Sequence, residues 1–240
     1  MNTDELALWE RLGQARRSPL DPAWLGDVYS PELSSDLRRA LCEKLGMLAE
    51  RGWPVIHQLV ITHGAQAELV MAAGLCHQPA ARDWLVERLN GTEEHADENL
   101  CVLQALSCWG ADVSNDVVTT CLQNPGQNYR LTGLQLLSFR AHTLTDRELL
   151  NLCGEALDDF RDPVAIAAIR VLQRRDGPEI AQRLAELCRS ESIPVCEAAF
   201  RALGCIATPE SQASLLELSQ SLSDEKRRQL ALQQLNQQFR

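Results

Sequence analysis

Apolar positions along the chain recur in short blocks whose spacing is helical. The blocks ALCEKLG, VMAAGLC, VLQALSC, GLQLLSF, AAIRVLQ, AAFRALG and LALQQLN share an anchor leucine: Leu45, Leu75, Leu106, Leu137, Leu172, Leu203 and Leu235. Successive anchors lie 30, 31, 31, 35, 31 and 32 residues apart, a period too regular for chance. Small or apolar residues stand three and four positions before an anchor, as in Met71 and Ala72, Ala168 and Ile169, or Ala199 and Phe200. That spacing lays one apolar stripe along a helix. A second apolar segment follows most blocks after a short break: WLVERL (84–89), VVTTCL (117–122), ELLNLCGEAL (148–157), IAQRLAEL (180–187) and SLLELSQSL (214–222). No stretch alternates apolar and polar residues with β-branched enrichment, so no strand is expected.

The punctuation supports helix pairs. Asp162-Pro163, Gly177-Pro178 and Thr208-Pro209 each set a capping residue before a proline suited to a helix start. Thr145 and Glu148 have the spacing of a capping box. The single 35-residue interval carries extra residues around Ala141–Asp146, a lengthened turn. Ala73, Ala105, Ala167 and Ala202 are small enough for neighbouring helices to approach closely. One pair of about 31 residues cannot bury both faces alone, whereas stacked pairs cover each other. The expected fold is all-α, an α-solenoid of six to seven antiparallel helix pairs. Residues 1–35 read as a degenerate helical cap, 36–222 as the repeats, and the Gln-rich 223–240 as a closing helix.

The segments PVAIAAIRVLQRRDGPEIAQRLAEL (163–187) and PVCEAAFRALGCIATPESQASLLEL (194–218) resemble HEAT repeats. Their length of about 30 residues is similar to the short variant found in phycobilin lyase subunits and bacterial relatives. The resemblance is good over residues 160–220 and weaker over 36–157. Gly46 and Gly204 follow their anchors as in such repeats, but Ser107, Ser138 and Gln173 stand there elsewhere. The resemblance implies a helical solenoid that handles another protein, and for the lyase type a phycobiliprotein subunit and its bilin. No extended motif matches a bilin-handling surface, so no lyase residue is transferred.

Charge narrows the partners. The 240 residues hold 33 acidic and 23 basic side chains, a net −10. Residues 1–120 account for −9 of this, residues 121–240 for −1. Such a chain lacks the basic surface that phosphate contacts need, and no nucleic-acid partner is expected. The longest uncharged stretch, 52–67, is too short and too polar to span a bilayer, so no membrane partner is expected either. The acidic start MNTDELALWERLG has no apolar signal core, and a cytoplasmic protein is expected. Nine cysteines are present, none in a CxxC pair, most of them inside apolar helical stretches where a thiol acts as a small hydrophobe.

Motifs for chemistry are absent: the chain has no GxSxG, HExxH, P-loop or Rossmann fingerprint. It also has no His-Glu dipeptide of the kind that iron-binding HEAT-like hydroxylases pair. Cys76-His77 is the best-placed thiol–imidazole neighbour pair, although adjacent helical residues point about 100° apart. His57 and His63 fall on or just past a second helix, where surface or capping roles are expected. Acidic turns occur at Glu93, Glu94, Asp97 and Glu98 around His95, and at Asp158, Asp159 and Asp162. The second lacks the alternate spacing of an EF-hand. Arg174 and Arg175 end a first helix, where cations suit its dipole. No catalytic residue, metal or cofactor is assigned.

The reading that follows is a protein-binding scaffold or chaperone. In this architecture the second helices are expected to line a concave surface, and the residues picked for it are Trp53, Trp84, Glu87, Arg88, Thr119, Asn151, Gln182, Arg183 and Glu186. Two alternatives are a phycobilin lyase-type subunit and a thiol- or metal-linked accessory protein contacting iron–sulfur assembly factors.

Overall fold

The computed structural model describes residues 3–91 and 96–238. Among them are fifteen α-helices, two 3-10 turns and no strand. The helices are α1 (Thr3–Gly13), α2 (Pro22–Val28), α3 (Ser35–Met47), α4 (Trp53–His63), α5 (Ala67–Leu75), α6 (Pro79–Gly91), α7 (Ala96–Trp109), α8 (Asn115–Gln123), α9 (Gln127–Arg140), α10 (Asp146–Leu157), α11 (Asp162–Leu172), α12 (Pro178–Leu187), α13 (Ile193–Ile206), α14 (Pro209–Ser221) and α15 (Glu225–Gln237). The anchor blocks fall on α3, α5, α7, α9, α11, α13 and α15, and the second segments on the even-numbered helices between them. The architecture is the expected α-solenoid class of stacked helix pairs. The chain divides into two compact units, Met1–Ala111 and Asp112–Arg240.

In the first unit α3, α5 and α7 pack side by side, with α4 against α3 and α6 against α5. Leu37, Leu41 and Leu45 of α3 lie four residues apart and are completely buried. Burying one leucine contributes about 2 kcal/mol. Two glycines set how closely the row is spaced. A Cβ on Gly46 would stand 2.7 Å from the Leu75 Cβ, and one on Gly74 only 2.3 Å from the Ala105 carbonyl oxygen. Helix backbones therefore meet directly at α3–α5 and α5–α7.

In the second unit α9, α11, α13 and α15 form one row, and α10, α12 and α14 pack beside them. Thr145 and Glu148 form the capping box: the Thr145 hydroxyl accepts from Glu148 N, and Glu148 Oε2 accepts from Thr145 N at 2.8 Å. Thr208 caps α14 through Ser211 N. The lengthened turn is the 3-10 turn Ala141–Thr143. Asp162 departs from expectation. It does not cap α11; its carboxylate accepts 2.7 Å from the Ser192 hydroxyl at the start of α13. A bond to the next repeat replaces a bond to its own helix.

The anchors Leu45, Leu106, Leu137, Leu172 and Leu203 are fully buried. Leu75 and Leu235 are only half-buried. On α15 no described helix follows to cover the outer side. On α5 Gly74 makes the contact with α7, while Leu75 meets Gly46 of α3 at its Cβ and stays half-buried.

Candidate binding surfaces

Four of the expected surface residues come together in the first unit. Trp53 opens α4, while Trp84 sits mid-way along α6, because Pro79 starts that helix earlier than expected. Their rings lie 6.0 Å apart at 54°, a tilted aromatic pair with both tryptophans half-buried. His57, one turn after Trp53, stacks 5.3 Å from it, and the Arg88 guanidinium lies 5.5 Å over Trp84. Arg88 also stands 3.8 Å from Glu98. Glu87 is exposed beside Arg88. The result is an aromatic patch with Arg88 over one ring, drawn from two consecutive second helices.

The second-unit residues do not form one patch. Arg183 and Glu186 pair at 2.9 Å, and Arg183 reaches Asp158 of the α10–α11 turn at 2.6 Å. Gln182 and Asn151 are exposed and Thr119 is half-buried, each on a different helix. Below them the acidic turn proves to be a clamp. The Asp159 side chain is fully buried and held by Arg161 Nε and Nη2, both at 2.8 Å, and by Arg130 Nη1 at 2.7 Å. The Arg161 hydrogen bonds lead in holding its carboxyl down at about pKa 2, against the opposing effect of burial. Arg130 and Arg161 also bond the carbonyls of Asn124 and Pro125, tying two successive turns. Phe160, at the tip, is 88% exposed. Arg175 serves the next turn: it bonds the carbonyls of Ala141 and Leu144 and pairs with Asp146 at 2.6 Å. Its target is the preceding repeat, beyond the dipole of its own helix.

The thiol candidates separate. Cys76 is buried and donates to Ala73 O, while His77 turns to the Trp109 carbonyl at 3.2 Å in a left-handed conformation, φ 51°. Burial pushes up the thiols of Cys42, Cys76, Cys101, Cys108, Cys121, Cys153, Cys188 and Cys196. Cys205 is exposed. Among the described residues no three His, Cys, Asp or Glu side chains converge to hold a metal ion. The acidic turn at Glu93, Glu94 and His95 lies outside the described residues, as does the side chain of Asp97. No described helix is long and apolar enough to cross a membrane.

A further surface was not legible in the repeat pattern. Over α5, between α3 and α7, lies a recess of about 550 Å³. Met71, Leu75 and Leu100 supply its apolar lining, and Arg39, Glu43 and Gln104 its polar edge. At one end Glu68 accepts from the Tyr29 hydroxyl at 3.0 Å and lies 3.2 Å from Arg38 Nε, an ion pair without hydrogen-bond alignment. The only sequence signal was the pair Gly46 and Gly74, whose meaning depends on which backbone each glycine meets.

Residues 150–236 match the HEAT repeats family. No curated protein is significantly similar in sequence. The fold is similar to that in the complex of CpcE and CpcF of phycocyanin lyase from Nostoc sp. PCC7120: 14% identity, TM-score 0.51, over 90% of this chain and 94% of that one. Lower similarity, at 16% identity, extends to human deoxyhypusine hydroxylase in complex with glycerol (TM-score 0.44, 96% and 89% covered). A designed armadillo repeat protein in complex with the peptide (KR)4 has TM-score 0.42, also at 16% identity, with 90% and 99% covered.

Proposed function

We propose that this chain is a protein-binding scaffold, and that the Trp53–Trp84 patch is its contact with a second protein. The observation that carries the reading is the patch itself: two half-buried tryptophans from α4 and α6, flanked by Arg88 and His57. Tryptophan and arginine are enriched among binding hot spots, where their large side chains are desolvated against the partner. A patch serving only the core would be closed over, as five of the seven leucine anchors are. The phycocyanin lyase neighbour is itself a complex of two proteins, which supports pairing with a protein and, as the finer form of the proposal, a phycobiliprotein subunit.

The test is quantitative crosslinking and recovery of partners from the native host, with Trp84→Ala as control. A stoichiometric protein partner is expected, and truncation should weaken its binding by about 2 kcal/mol or more. A partner held equally well by Trp84→Ala and Trp53→Ala removes the patch from the interface. Co-expression with an apo-phycobiliprotein and bilin tests the finer form: complex formation supports it, and covalent bilin attachment would make the chain part of a lyase.

A further inference from the structure

We infer that the recess over α5 is a second docking site, taking a two-turn amphipathic helix that carries an acidic and a basic residue one turn apart beside its apolar stripe. It lies on the first-helix row of the first unit, whereas the tryptophan patch belongs to α4 and α6, so the two inferences stand separately.

Packing makes the recess. Because Gly46 and Gly74 let α3 and α7 close on α5 at backbone contact, α5 is sunk between its neighbours, and their side chains rise as two walls. The floor then holds Met71 and Leu75 where a repeat of ordinary spacing buries its anchor. Leu75 is the departure: its counterparts in α3, α7, α9, α11 and α13 are fully buried, and it is not. From Ala67 to Leu75 the floor runs about 12 Å, the rise of roughly two helical turns.

The walls decide the form of the occupant. All three elements around the recess are helices, whose backbone donors and acceptors are used internally. An extended peptide would find no sheet edge to pair with and would gain no backbone hydrogen bonds over those it makes with water. A helix arrives with its backbone already satisfied and presents apolar side chains at i, i+3 and i+4, which is what an apolar floor requires.

Charge decides its chemistry. Arg38 and Glu68 face each other and cancel. Gln104 of α7 is uncharged. Arg39 and Glu43 remain, one turn apart on the α3 wall, and neither has an ion-pair or hydrogen-bond partner among the described residues. A helix bearing one acid and one base at matching spacing satisfies both; a uniformly charged helix satisfies one and opposes the other.

A phage-displayed library of short helical peptides, panned on the full-length chain and followed by calorimetry of the selected synthetic peptides, tests this. The expected winners carry an apolar stripe with both charge signs one turn apart. Arg39→Glu, at an exposed position that leaves folding intact, should weaken them about fivefold, and exchanging the peptide's acid for lysine should restore binding. Leu75→Glu, checked for helicity by circular dichroism, should cost about thirtyfold or more. The inference is overturned if no peptide is enriched, or if the winners lack the pattern or are indifferent to Arg39→Glu. Self-association of the free chain that Leu75→Glu abolishes also overturns it, in favour of a second copy.

Discussion

The two units solve the same problem, joining one helix pair to the next, with different chemistry. All five tryptophans lie in residues 1–111 and none in 112–240. In the first unit a turn is locked by rings: Trp109 Nε1 donates to the Gln78 carbonyl at 3.1 Å, while the His77 ring meets the Trp109 carbonyl. In the second unit the turns are locked by arginines reaching back about 30 residues, from Arg161 to Pro125, Arg175 to Ala141, and Arg140 to Val113. Helix spacing differs in parallel. Gly74 meets a backbone carbonyl, whereas a Cβ on Gly204 would meet only the Gln234 side chain. The half that contains the HEAT-repeat match, residues 150–236, thus ties its turns with arginines. The half held by glycines and aromatics carries the aromatic patch and the recess.

The largest effect expected is in the second unit. Leu203→Asp places an unpaired charge at a fully buried anchor and should cost at least about 3 kcal/mol in chemical denaturation. Contacts between repeats are nearest-neighbour, so hydrogen exchange should lose protection over 160–238 before 36–90. Uniform loss along the chain would break the division into two units. Arg201→Asp, on the exposed side of the same helix and 3.8 Å from Glu197, should change stability by only about 0.5 kcal/mol.

Asp159→Ala should follow at about 3 kcal/mol, the low end for a broken buried pair because both guanidiniums keep some contact with water. The clamp also predicts a pH dependence. A carboxyl held at about 2 contributes stability that is present above its unfolded value near 3.9 and is lost as pH falls toward 2. Acid titration of the second unit should show this loss, and Asp159→Asn should flatten it. An unchanged titration would mean the clamp is not what senses acid.

Gly74→Ala should cost about 2 kcal/mol, since the new methyl meets the Ala105 backbone, which cannot step aside. Gly204→Ala should cost less, within about 1 kcal/mol of neutral, because the Gln234 amide can swing away and alanine favours the helix, leaving only the Gln234 Cβ at 3.2 Å to give slightly. Equal effects at the two glycines would erase the contrast in helix spacing.

The smallest effect concerns the thiols. With a maleimide, Cys205 should label first, the half-buried Cys101 and Cys108 more slowly, and buried Cys42, Cys153 and Cys188 only on unfolding. Mass spectrometry of timed samples reads the order. Fast labelling at Cys153, whose thiol burial pushes up to about 12, would show that α10 opens locally.

Much of the fold was legible because repetition is a property of sequence. Five of the seven anchors, the period near 31, the capping box at Thr145 and the lengthened turn at Ala141 each follow from local spacing and local hydrogen bonding, and each stands in the structure. Trp53, Trp84 and Arg88 could be picked from helix type, but their meeting could not, since it depends on how α6 is set against α4.

By itself, then, the sequence determined helix content, pairing and the repeat class, because a 3.6-residue stripe repeated every 31 residues has few ways to bury itself. Tertiary structure alone decided what each exceptional residue does. Asp162 had the sequence of a cap and bonds Ser192. Asp159 had the sequence of an acidic turn and is a buried counterion for two arginines. Leu75 had the sequence of an anchor and lines a recess, because one position earlier Gly74 brings α7 into backbone contact. For Asp162 and Leu75 the deciding partner lies about 30 residues away, and for Asp159 one of its two arginines does, a distance at which periodicity says that two helices are neighbours but not which atoms meet.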